Sequence, residues 1–251
     1  MMDIWAACRD YVSPALLAGH MVRVVESQEQ IATTTLVDNL DEQALLEHLL
    51  ERTKPPLPSD ARDLHYLLAT PFRYPPLPFG SRFGTRHQAG LFYGALQLTT
   101  ALAETAYYRF VFWQGMTAPP PSGKFTTAHT VFGARYRSLQ GIRLQHQPFS
   151  DYRRELTHPS DYRSTQQLGD NMRAAGIEAF EYRSARDPEH GINVGLFSPK
   201  ALVRSEPTHQ QQWLCDTRAD AVSFSSKHAD EVHHYSLTIF LVNDRFPIPS
   251  A

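Results

Sequence analysis

Extended segments outnumber helices along this chain, and the two kinds do not alternate. Short runs of β-branched, aromatic and aliphatic residues predict strands at Leu67–Tyr74, Leu91–Ala95, Thr127–Phe132, Gly141–Gln145, Ile177–Tyr182, Val194–Phe197, Ala221–Phe224 and Tyr235–Val242. Two long helices stand among them, Thr100–Trp113 and Arg163–Ala175, the second closed by Gly176. A doubly wound parallel sheet needs a helix between successive strands, so this order predicts an α+β fold. The aromatics of Tyr107-Tyr108-Arg109-Phe110-Val111-Phe112-Trp113 go nearly all the way round their helix, which marks it as a core helix.

The first 56 residues read as helix, strand, helix. Met21–Val25 is an apolar run interrupted by Arg23, and Asp41–Arg52 carries Ala44, Leu45, Leu49 and Leu50 at helical spacing. Lys54-Pro55-Pro56-Leu57-Pro58 ends this block. The expected division is a helical extension over residues 1–60, packed on a main domain over 61–251. A net charge of −2 gives no broad attraction to nucleic acid or anionic membrane, and no apolar run approaches membrane-spanning length. Two cysteines make neither a disulfide framework nor a cysteine-based zinc site, so a reducing cytoplasm is the expected location.

The chemistry concentrates between Phe72 and Arg109. Arg82 precedes Tyr93 by eleven residues, and Glu104 follows Tyr93 by eleven. Guanidinium forks at Arg73 and Arg82 match pyrophosphate oxygens in pairs, as a lysine point charge does not. Tyr74 and Tyr93 offer aromatic faces to a cationic ring. Glu104 is a lone acid in the apolar run Ala101-Leu102-Ala103-Glu104. A carboxylate of that kind can oppose the positive charge that builds on a ribose as its glycosidic bond breaks. Taken singly, Glu104 reads as readily as a helix-dipole partner and Tyr93 as a half-buried strand aromatic. Only the joint spacing singles them out.

Elsewhere the signals are weaker. His228, His233 and His234 stand near Asp230 and Glu231, but adjacent strand residues point to opposite faces, so no metal site is expected. The Gly-x-Gly-x-x-Gly fingerprint, the P-loop and the Gly-x-Ser-x-Gly elbow are all missing, so a bound dinucleotide would be substrate and not cofactor.

The order of these motifs resembles the RES family, named for its Arg, Glu and Ser. The likeness rests on Phe72-Arg73-Tyr74, Gly80-Ser81-Arg82-Phe83, Gly90-Leu91-Phe92-Tyr93-Gly94-Ala95 and Thr100-Ala101-Leu102-Ala103-Glu104. Further on it takes in Phe180-Glu181-Tyr182-Arg183-Ser184, followed by Gly191-Ile192-Asn193-Val194-Gly195-Leu196-Phe197. It departs where the family more typically has Gly-Arg-Trp-Asn, since Phe83-Gly84 stand here. The resemblance implies an ADP-ribosyltransferase-like split β-core with flanking helices around an NAD cleft. It also implies NAD breakdown by water or inorganic phosphate, or transfer of ADP-ribose to a protein, in the toxic half of a toxin–antitoxin pair.

Carried over by residue, the resemblance makes Arg73 and Arg82 holders of phosphate, and Tyr74 and Tyr93 the frame of the nicotinamide. Glu104 would stabilise the ribosyl cation, and Ser184 would hydrogen-bond the nicotinamide ribose or the acceptor; a serine ending a strand is the plainer reading. The implied partner is a small helix-turn-helix antitoxin, with a homodimer among the assemblies allowed. A non-catalytic nucleotide-binding relative is the competing expectation.

Overall fold

The computed structural model describes residues 2–27, 37–226 and 228–250. After a short helix α1 (Ile4–Cys8), whose first turn is capped by Asp3, the chain enters strand β1 (Ala15–Glu26). Helices α2 (Leu40–Thr53) and α3 (Tyr66–Arg73) follow, then β2 (Phe92–Ala95), helix α4 (Leu98–Gln114) and the long strand β3 (Phe125–Arg143). Helices α5 (Arg153–Leu156) and α6 (Arg163–Ala174) lead to β4 (Ala179–Arg183) and β5 (Ile192–Leu196). Three more strands complete the sheet: β6 (His209–Thr217), β7 (Ala221–Ser226) and β8 (Glu231–Ser236).

The fold is α+β, with a split β-core of the ADP-ribosyltransferase kind. Sheet order is β1-β2-β5-β4-β3-β6-β7-β8, and β1 also pairs with β3. The split runs along β3. One edge of β3 pairs with β1 from Ala15↔Gly141 to Glu26↔His129. The other edge serves β6 from Phe125 to Gly133 and β4 from Gly141 to Arg143. Strands β4, β5 and β2 then curl back to β1, which β2 meets at the single pair Val22↔Ala95. Beyond that pair β1 and β2 part, and the fork between them is the opening of the cleft described below.

Burial explains the helices. Helix α4 hides Leu102, Ala106, Tyr107 and Phe110 against Trp213, Phe224 and Phe240, but Tyr108 and Phe112 are exposed, so it is buried on one side and not all round as its aromatics suggested. Helix α6 brings Leu168 and Met172 into a second cluster with Phe83, Phe180 and Tyr182, and Gly176 ends it at φ +76°. Phe83 meets Phe180 and Tyr182 edge-on, both with centroids 4.8 Å apart. Truncating Phe180 to alanine at such a site costs about 3–5 kcal/mol.

Several expected elements take another form. The strand expected at Leu67–Tyr74 is helix α3, because a short apolar run fits either period and His65 caps a helix here through Nδ1 to the Leu67 amide. Pro71 falls in its last turn. The strands expected at Thr127–Phe132 and Gly141–Gln145 merge into one strand, β3, which ends at Arg143. Strand β6 was hidden by its Gln210-Gln211-Gln212 run, and the strand expected at Tyr235–Val242 stops at Ser236, whose hydroxyl caps a 3-10 turn over Leu237–Phe240. The segment expected as a helical extension, residues 1–60, contributes β1 to the centre of the sheet, with Leu17 and Met21 buried in its core. No described helix is long and apolar enough to cross a membrane.

Candidate active site

A cleft of about 540 Å³ opens in the fork between β1 and β2, within the range of small-molecule sites. Its floor is Val22–Glu26 of β1 with Ser27 after it, and Tyr93–Ala95 of β2; α4 forms one wall, and α3 with the loop after it forms the other. Gly94 lets the two strands converge at its root, since a Cβ there would come within 3.1 Å of both Met21 Sδ and the Val22 carbonyl.

Glu104 projects from α4 into this cleft and is half-buried. Two side chains hold it, both through Oε1: Ser184 Oγ donates at 2.6 Å and Asn193 Nδ2 at 2.7 Å. One carboxylate oxygen is thus fixed by the protein, on a side chain that lines the cleft. Ser184 is wholly buried and does not line the cleft; besides donating to Glu104, its hydroxyl accepts from the amides of Arg186 and Asp187 at 3.1 and 3.0 Å. This corrects the expectation that Ser184 would touch a ribose or an acceptor. Its oxygen is fully occupied by Glu104 and these two amides. The loop that delivers it closes on Asp187, which accepts from Thr100 Oγ1 at 2.7 Å and from the Gly191 amide at 3.2 Å.

Arg82 and Tyr93 both line the cleft. Arg82 lines the cleft with its guanidinium over the Tyr162 ring at 4.6 Å, and one nitrogen donates to the carbonyls of His158 (2.9 Å) and Leu156 (3.2 Å). The Tyr93 hydroxyl accepts from the Phe83 amide at 3.1 Å and bonds Ser81 Oγ at 3.0 Å, so it fastens the Gly80–Gly84 turn that carries Arg82. Burial raises its pKa, which keeps the phenol protonated. Tyr74, at the end of α3, is exposed on the opposite rim.

Arg73 is elsewhere. Its Nε donates to the Pro55 carbonyl and its Nη1 to Glu51 Oε1, each at 2.6 Å, and it does not line the cleft. The reason is the change of period: as the last residue of a helix it points back along α3 and clamps the end of α2. The expected phosphate holder is a structural tie.

Two cleft residues escaped sequence reasoning. Arg23 of β1 lines the floor, its Nη1 donating to the Tyr93 carbonyl at 2.5 Å across the fork. Its Nε is buried without a protein partner, and burial lowers its pKa to about 10, still charged at neutral pH. A guanidinium that lines a cleft and keeps its charge is the kind of group that pairs with an anion. The signal was a single cation breaking the run Met21–Val25. Asn193 is the other; a buried amide in Ile192-Asn193-Val194-Gly195-Leu196 is a polar residue that an apolar strand has no packing reason to keep. Among the described residues no three His, Cys, Asp or Glu side chains converge as a metal site.

A cleft in the fork of a split sheet, with a carboxylate on one wall and arginines on the floor and rim, defines an α+β protein of the ADP-ribosyltransferase-like class. A family model of the RES domain matches residues 57–233, well over half of the chain, and the protein belongs to that family. Strand β1 and Arg23 lie before the matched residues yet belong to the same sheet and the same cleft. No curated protein matches the chain.

Proposed function

We propose that this protein consumes NAD by breaking its nicotinamide–ribose bond, with Glu104 stabilising the cation that forms. The observation that carries the reading is the hold on Glu104: one oxygen fixed by Ser184 and Asn193, on a carboxylate that lines a cleft shared with Tyr74 and Tyr93. Nicotinamide in NAD is a pyridinium, so the C1′–N bond breaks with its electron pair leaving on a neutral base, and no acid is needed. Positive charge builds on the ribose, and a carboxylate fixed beforehand opposes it at little reorganisation cost. Arg23 and Arg82 would take the pyrophosphate, and Tyr93 and Tyr74 would lie along the nicotinamide.

An acceptor oxygen then bonds C1′ and gives up its proton, from water in hydrolysis or from inorganic phosphate in phosphorolysis. NAD depletion would make the protein a toxin acting in the cytoplasm. A small helix-turn-helix antitoxin blocking the cleft would restrain it, and a homodimer is a compatible assembly.

The test is product analysis after incubation with NAD, with and without inorganic phosphate. Free nicotinamide with ADP-ribose identifies hydrolysis, and a phosphorylated ADP-ribose formed only with phosphate identifies phosphorolysis. ADP-ribose found on protein would instead make this an ADP-ribosyltransferase. Intact NAD under all conditions would sink the reading and favour a nucleotide-binding relative without turnover.

A further inference from the structure

Among the described residues, none from helix α2 enters the buried clusters that hold the sheet and the other helices together. The helix spans about 21 Å, and it precedes residues 57–233, the part of the chain common to the RES family.

It is held from one side. Gln43 is buried, and Glu51 Oε1 accepts from Arg73 Nη1 at 2.6 Å. With each residue advancing about 100°, Glu42, Leu45, Leu49 and Arg52 fall within an arc of about 80° that faces away from both. All four are exposed, Leu45 by 58% and Leu49 by 48%. Their spacing of three, four and three residues is that of a coiled-coil seam.

The two ends of this seam differ in charge. Asn39 Oδ1 accepts from the Glu42 amide at 2.9 Å, and Glu42 Oε2 accepts from the Asp38 amide at 3.0 Å, so the acid is fixed in the first turn. Arg52 stands in the last turn, and among the described residues it has no hydrogen-bond or ion-pair partner. A seam reading acid, leucine, leucine, base complements its own reverse. Two copies laid antiparallel about a twofold axis set Leu45 against Leu49 and Glu42 against Arg52, each twice. Laid parallel, acid would face acid and base would face base.

We infer that α2 is a self-association surface, through which two copies of this chain form an antiparallel helix pair. The inference stands apart from the NAD reading, since no residue of α2 lines the cleft. A pair this short buries less than the roughly 1,600 Å² of a standard interface, so the dimer is weak and forms on the order of 10 μM.

Sedimentation equilibrium of the intact chain, from about 1 to about 200 μM, tests this. The wild-type mass should rise from monomer toward dimer. Leu45→Ser combined with Leu49→Ser should weaken association at least about a hundredfold. Glu42→Arg or Arg52→Glu alone should weaken it at least about tenfold, because each sets like charges together twice. Mixing the E42R and R52E proteins should restore a dimer with one copy of each, since opposite charges then meet at both ends. Should Glu42→Arg, which gives up a helix-start contact, not fold, the exposed Arg52→Glu change and the leucine pair still decide. A wild-type protein that stays monomeric throughout overturns the inference. So does a dimer that R52E leaves as tight as before, or a folded pair of charge variants that stay apart on mixing.

Discussion

The two walls of the cleft are made in different ways. On the α4 side, the groups around Glu104 are buried and committed: Ser184 is fully enclosed, Asn193 is 3% exposed, and both donate to the same oxygen. The α3 side presents Tyr66, Tyr74 and Leu77, which are 48%, 38% and 55% exposed, and its arginine faces away to tie α2 in place. A carboxylate that must meet a transient charge gains from being fixed in advance, whereas a stacking surface works over a range of positions. The first wall is therefore suited to chemistry, the second to enclosing what enters.

Substitutions can break that contrast. Glu104→Gln should lower kcat for NAD about 10³-fold with binding retained, read from nicotinamide release. Ser184→Ala removes an orienting donor that touches no ligand, so kcat should fall about 10- to 100-fold with little change in KM. The same loss appearing in KM alone would mean that Ser184 meets substrate after all. Tyr74→Ala, on the enclosing wall, should raise KM about two- to tenfold and spare kcat. Arg73→Ala should change kcat/KM by about threefold at most, since it removes a tie at the surface. A larger effect of Arg73→Ala than of Ser184→Ala would invert the comparison between the walls.

Much of the first wall was legible in the sequence. Glu104 stood out because an acid inside Ala101-Leu102-Ala103 has no reason to be there for packing, and the equal spacing from Arg82 to Tyr93 to Glu104 follows one turn, one strand and one helix in order. Ser184 meets Glu104 and not the open cleft, because only the fold shows that its loop turns inward toward α4. Arg73 failed through its local structure. Read as a strand, Leu67–Tyr74 would have aimed Arg73 at the cleft; as helix α3 it aims the side chain at Glu51 and Pro55. Arg23 was missed through distance, since nothing local announces that β1 meets β2, where its guanidinium bonds the Tyr93 carbonyl 70 residues further on. Pairing of that range is set by tertiary packing and leaves no mark in a short window.

The most direct test of the central claim joins two readings on the same samples: NAD binding and NAD consumption by the wild-type and Glu104→Gln proteins, in buffer containing inorganic phosphate. The account predicts that both proteins bind NAD and that only the wild-type protein consumes it at an appreciable rate. Consumption by Glu104→Gln at the wild-type rate would contradict it.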